Sequence, residues 1–477
     1  MALVGLRKGA VRAVRMGVFA TTAVVATVVS APAARADTFA DALVSAYNHS
    51  GLLTQNRALL RAADEDVSAA GAALEPVVRW AASVTRSYGR SRSGSAIVEG
   101  HSLDFSGDLI VEKLLYDFGA TALGVDVAKE TVLATRQALI GVEQQVLQRA
   151  VEAYMGVVEA SEFVALRQNN LRLLNQELRA AQNRFEVGEV TRTDVALAEA
   201  QRAQALSGVA TAQGNLKIAE EEYRNVVGHK PGRLATPPRL PKVGTNVEAA
   251  KLTAVRQHPD MRSVQHQVSA AELAIKRAQA QKRPTISAQG VLSLDKTLDG
   301  DNFATGASVG LNASGTIYSG GARSSNVRAA QAQRDAQRGN LHVVRHNVQQ
   351  NVGVAFARLS SARASLASSD RQIKAARIAF DGVREEAKLG ARTTLDVLDA
   401  EQSLLDAEAA RISAQAQVYV ATYLVLSTKG QLTARDLRLP VQQYDVTEYY
   451  NLVKSSPTSQ SKQGAQLDRV LKRLQKQ

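Results

Sequence analysis

The feature that most constrains this 477-residue chain is that it is written twice. The stretch "GEVTRTDVALAEA" at 188–200 returns as "GARTTLDVLDAEQ" at 390–402. Gly188, Thr191, Asp194 and Val195 are matched by Gly390, Thr393, Asp396 and Val397, each 202 residues later. The same offset relates "LYDFGA" at 115–120 to "IYSGGA" at 317–322, and Gly228 to Gly430. From Tyr116 to Gly228 the copy therefore runs without insertion or deletion. Loops tolerate such changes and rigid elements of fixed length do not, so each half is expected to be built on long, stiff elements.

Apart from Pro32, the prolines sit at 76, at 231–284 and at 440–457, leaving two stretches, 77–230 and 285–439, free of them. An interior proline costs a helix about 3 kcal/mol, so both stretches allow unbroken helices. Leu171, Leu174, Leu178, Ala181 and Phe185 step by three and four, and Ile373, Ala376, Phe380, Val383 and Ala387 keep that rhythm. After the first glycine, Val209, Ala212, Leu216, Ala219 and Tyr223 resume it. Each half is thus predicted to be an antiparallel helical hairpin turning at Gly188 or Gly390. Thr191 with Asp194, and Thr393 with Asp396, have the spacing of a capping box that starts the return helix. At 1.5 Å per residue the arm from Gly119 to Gly188 reaches about 100 Å. An aromatic content of only 4% suits thin helical seams better than several bulky cores.

Upstream of each rod the apolar period changes from 3.6 to 2. Val78, Trp80, Ala82 and Val84, then Leu103, Phe105, Gly107, Leu109 and Val111, alternate with mostly polar neighbours. The second half repeats this with Ile286 to Leu294 and Phe303 to Ala313. Each half offers two strands, joined by "GRSRSGSAIVEG" or "KTLDGDN", long enough to cross a bilayer when tilted. Four strands cannot close a barrel, and an open edge in lipid strands backbone groups, so several chains are expected to pool their strands.

Residues 1–36 read as an export signal: basic Arg7, Lys8, Arg12 and Arg15, an apolar run from Met16 to Ser30, and Ala34-Arg35-Ala36 before cleavage. Cysteine is absent, so neither a disulfide framework nor a lipidated cysteine is expected. The charge of +13 sits largely in the signal and in the tail beyond Asn451, and no basic face interleaved with aromatics speaks for nucleic acid. Enzyme motifs are missing: there is no G-x-S-x-G, and Gly300 to Gly306 lacks the lysine of a phosphate loop. His342 and His346 stand four apart without a further ligand at motif spacing, so neither a metal nor a cofactor is expected.

Taken with "RFEVGEVTRTDV" (184–195), "RPTISAQG" (283–290), "VGLNASGTIYSGGA" (309–322) and above all "LGARTTLDVLDAEQSLL" (389–405), the chain resembles the TolC family of outer-membrane exit ducts of Gram-negative bacteria. The resemblance implies an α+β fold in which long antiparallel coiled-coil hairpins form an α-barrel. Four strands per chain join a homotrimeric twelve-stranded transmembrane β-barrel. The expected layout is a signal peptide (1–36), an N-terminal periplasmic helix (37–75), strands of the first repeat (76–118) and its hairpin (119–230). A linker with an equatorial helix (231–283), strands of the second repeat (284–320), its hairpin (321–430) and an equatorial segment with a polar tail (431–477) follow. A short helix is expected near Leu467 to Leu474.

The resemblance also implies roles at the tip. Asp396 and Asp399 fall where the family places lumen-facing carboxylates that form a cation ring. Asp194, Thr193 and Arg392 fall among the links that hold the mouth shut. Glu177 and Arg384 replace a glutamine–glutamate pair and are expected to form an ion pair, and Ala387 stands where a tyrosine is usual. Asp399 has Leu197 as its counterpart in the first copy, so capping does not account for it, and crowding in such a ring is expected to raise some carboxylate pKa values. Implied partners are two further copies, outer-membrane lipid, a periplasmic adaptor and an inner-membrane ABC or proton-driven transporter. The rival reading is a periplasmic coiled-coil spacer without a pore.

Overall fold

A computed structural model describes residues 37–458 and 461–474. The export signal lies outside the described residues.

The repeat is visible as geometry. In the first half, α3 (Ala120–Glu186) and α4 (Arg192–Val227) form a hairpin; in the second, α7 (Ala322–Lys388) and α8 (Thr394–Thr428) do. The long arms have 67 residues each, and both start after a left-handed glycine, Gly119 (φ 82°) or Gly321 (φ 86°). Leucine, alanine and glutamine sustain these helices, while small residues such as Ala150, Ala205, Ala355 and Ala407 let the backbones approach closely.

The main core lies along the middle of the rods. Leu147, Val151 and Tyr154 of α3 meet Tyr223 of α4, Val352 and Phe356 of α7, and Tyr423 and Val425 of α8. α1 (Phe39–His49) packs Phe39 against Tyr154 and Tyr423. The expected single N-terminal helix is two. Ser50, in an extended conformation, ends α1, and its hydroxyl accepts the Leu53 N–H to start α2 (Gly51–Ala72). A serine there competes with the helix for backbone partners. The linker likewise holds two helices, α5 (Val247–Gln257) and α6 (Pro259–Ala280), divided at Pro259, which takes the first helical position of α6. In the tail, α9 (Glu448–Val453) is followed by α10 (Lys462–Leu474), the helix anticipated near Leu467.

The four strands β1 (Val77–Ser93), β2 (Ala96–Tyr116), β3 (Thr285–Thr297) and β4 (Phe303–Ser314) form one antiparallel sheet in sequence order. β2 pairs with β3, so the sheet joins the two repeats. The segment 89–100, expected as a loop, instead extends the first hairpin. Arg90 pairs with Glu99 across it, and the chain turns at Gly94 (φ 64°). Its polar composition resembles a loop, but its alternation continues the strand period.

Register separates the faces. Val78, Trp80 and Val84 align with Val111, Leu109 and Phe105, then with Gly290, Leu292 and Lys296, then with Val309, Ala307 and Phe303. The opposite face carries Ser83, Thr85, Asp104, Ser106, Asp108, Ser293 and Asp295. The apolar face is bare: Trp80 is 78% exposed and Val309 91%. Within one chain β1 and β4 each have one unpaired edge.

Candidate functional site

The far ends of the two hairpins are built alike. Where α3 ends, the Gly188 N–H donates to Phe185 O and the Glu189 N–H to Arg184 O; where α7 ends, Gly390 and Ala391 donate to Ala387 and Glu386. Both are paired 5→2 and 6→1 closures that need a left-handed residue, and Gly188 (φ 79°) and Gly390 (φ 78°) supply it. The chain then re-enters a helix through a complete capping box. The Thr191 N–H and hydroxyl donate to Asp194 at 2.9 and 2.7 Å, and the Thr393 groups donate to Asp396 at 2.9 and 2.8 Å. The return bonds from Asp194 and Asp396 N–H to the threonine hydroxyls complete both boxes.

Asp396 and Asp399 lie one turn apart on α8. Asp399 is exposed, and its carboxylate joins no hydrogen bond or ion pair among the described residues. The Asp396 carboxyl is held below the usual range, first by the Thr393 backbone and hydroxyl donors and then by Arg392. Within one chain the cap therefore favours its ionised form, opposite to the rise expected from crowding.

Arg392 pairs with Glu386 at 2.8 Å, not with Asp194, whose carboxylate is occupied by Thr191. Thr193 is exposed. Glu177 of α3 and Arg384 of α7 meet at 3.2 Å, tying the two hairpins together as the substitution pattern suggested. Ala387 is buried against Phe380 and Val397, so a small side chain closes the seam where the family tyrosine is usual.

One pair escaped the sequence reading. Glu401 of α8 is 3% exposed and accepts a hydrogen bond from the Asn170 amide of α3 at 2.9 Å, while its Oε2 has no partner. Burial pushes its pKa up to about 7, helped by nearby Glu177 and opposed by Asn170 and Arg384. A signal existed: Leu398, Glu401 and Leu405 are all buried and step by three and four, so an acid stands in an apolar stripe.

Among the described residues no cluster of metal-ligating side chains occurs, and no helix is long and apolar enough to cross a membrane. The surface that suits a bilayer is the bare apolar face of the sheet.

The model of the outer membrane efflux protein family matches residues 42–229 and 253–423, the two repeats. The chain belongs to that family. It is 36% identical over 430 residues to the outer membrane efflux protein BepC of Brucella suis, covering 90% of this chain and 93% of that one. It is 26% identical to the outer membrane protein TolC of Escherichia coli, over 62% of this chain and 63% of that one. Among solved structures, the Campylobacter jejuni CmeC outer membrane channel superposes with a TM-score of 0.74 at 16% identity, covering 88% of this chain and 90% of that one. The fold is that of TolC-family channels, helical barrel and β-domain included, and the protein resides in the outer membrane. Its relatives are channel proteins, not enzymes.

Proposed function

We propose that three copies of this chain form a passive exit duct that carries substrates from an inner-membrane transporter across the periplasm and outer membrane. The observation that carries this reading is the sheet: apolar on one face, polar on the other, bare at both edges, and attached to rods about 100 Å long. Unpaired edges cannot persist in lipid. Three such sheets joined edge to edge make twelve strands, with the apolar faces towards lipid and the serine- and aspartate-rich faces towards the lumen.

The hairpin tips are the proposed gate. Asp396 and Asp399 from three chains form a ring of carboxylates that attracts cations. Within one chain Arg392 is held by Glu386, so a link from Arg392 to Asp194 or Thr193 belongs between chains and competes with that pair. Exposed pairs of this kind contribute only about 0–1 kcal/mol each, which a periplasmic adaptor can overcome on docking. Energy comes from the transporter, of ABC or proton-driven type; the glycine spacing at Gly300 to Gly306 in this sequence lacks the lysine of a phosphate loop.

The test is planar-bilayer conductance of the mature chain. Discrete channels blocked by trivalent cations are expected, with block relieved in Asp396→Ala/Asp399→Ala. Undiminished block in the double variant removes the ring; a chain that stays in aqueous extract and passes no current favours the spacer.

A further inference from the structure

The apolar face of the sheet changes chemistry where the sheet narrows. β3 and β4 stop at the pair Lys296–Phe303, while β1 and β2 continue to Ser93–Ala96. On the face that carries Val78, Trp80 and Val84, the next residues of β1 are Arg86, Tyr88, Arg90 and Arg92. The opposite face of that stretch of β1 carries Thr85, Ser87, Gly89 and Ser91. Every arginine of the projecting ribbon therefore lies on the side continuous with the apolar face. Arg86 stands 5.5 Å from the Tyr88 ring centre. Arg90 bonds Glu99 at 3.1 Å with both side chains well exposed, whereas Arg86 and Arg92 have no ion pair among the described residues.

Their height is set by the same register. At the helical end of β2, Lys113 is the first charged residue on this face, and towards the ribbon β2 itself presents only apolar residues until His101, which is paired with Tyr88; on the flanking strands Lys296, opposite Phe105, and Arg86, opposite Leu103, come two and one same-face positions earlier. The twelve residue steps from Lys113 to His101 span about 40 Å along a strand, or about 30 Å along the normal at a tilt of about 40°. That is the thickness of bilayer hydrocarbon. Arg90 and Arg92 thus lie beyond the end of the hydrocarbon, on the side away from the rods, and Arg86, one same-face position short of it, reaches it with its long side chain. There the neighbouring groups are the lipid headgroups of the outer leaflet, and a guanidinium binds a phosphate with two parallel hydrogen bonds.

We propose that Arg86, Arg90 and Arg92, with Lys296 of β3 level with Val84 at the hydrocarbon edge of the patch, form a binding face for the phosphorylated headgroups of outer-leaflet lipid. The inference rests on the sheet being the membrane wall of the duct. Arg90 exchanges a solvated bond to Glu99 for a phosphate at little cost.

The experiment uses the full mature protein in uncharged detergent, incubated with diphosphorylated lipid A or with its dephosphorylated form, and retention is read by native mass spectrometry. The wild type is expected to retain the phosphorylated lipid about ten-fold better, a difference of about 1.4 kcal/mol. Arg86→Ser/Arg90→Ser/Arg92→Ser is expected to lose that preference, the triple lysine variant to keep part of it, and Lys113→Gln to keep it all. Equal retention of both lipids by the wild type, or an undiminished preference in the serine variant, overturns the proposal. So does complete displacement by millimolar inorganic phosphate, which marks a free-anion site. Should the serine variant fail to fold, the wild-type preference and the lysine variant decide. The duct itself is judged by current, so normal conductance without lipid preference sinks this inference alone.

Discussion

Glu401 is the residue whose chemistry is most at odds with its depth. An acid whose folded pKa is raised binds its proton more tightly folded than unfolded, so stability is greatest at low pH and falls as pH rises from about 4.5 to about 7. The shift corresponds to at most about 3 kcal/mol. Glu401→Gln keeps the shape and the bond to Asn170 while removing the charge. Thermal melts should therefore show the wild type losing stability between pH 5 and 7.5 and the variant losing less. Asp64, 1% exposed and raised by burial to about 6 against the pull of Arg136, titrates in the same sense, so a residual slope remains. An equal slope in both proteins would place the titration elsewhere. The sequence displayed Glu401's position in the stripe but not the absence of a cation to neutralise it, because Arg384 is spent on Glu177.

At the scale of elements, the turns were legible because capping is local. Glycine, threonine and aspartate at fixed spacing state where one helix ends and the next begins, and the structure has both boxes as read. Thr393→Ala removes the hydroxyl and should cost about 1 kcal/mol, seen as faster amide exchange across 389–398. Glu189→Gln, at an exposed position whose side chain joins no hydrogen bond or ion pair among the described residues, should leave exchange at 187–196 unchanged. Comparable acceleration in both would mean the boxes do not hold the tips. The breaks at Ser50 and before Pro259, and the length of the β1–β2 hairpin, were less legible. Ser50 sits in Asn48-His49-Ser50-Gly51, a run of weak helix formers that marks no single break point, and the ribbon's glycines, serines and arginines have the composition of a loop. In both places tertiary pairing decides between conformations that local preference leaves close in energy.

At the scale of the molecule, one chain presents an open sheet, and the claim that siblings close it can be separated from the claim that it is a sheet. In an antiparallel edge strand, N–H groups alternate between the paired neighbour and the open side. Of Ala307 and Ser308 in β4, one therefore donates towards β3 and the other away from it. If β4 were a free edge, proline at the outward-facing position would be tolerated, since no bond is lost. If β4 pairs with β1 of another copy, both N–H groups are bonded, and losing either in lipid costs several kcal/mol. Ala307→Pro and Ser308→Pro, made separately, should both abolish heat-resistant oligomers and conductance. The rods, whose core is far from these positions, should keep their helical circular dichroism. A fully active protein carrying either proline would leave the edge unpaired and the cylinder open.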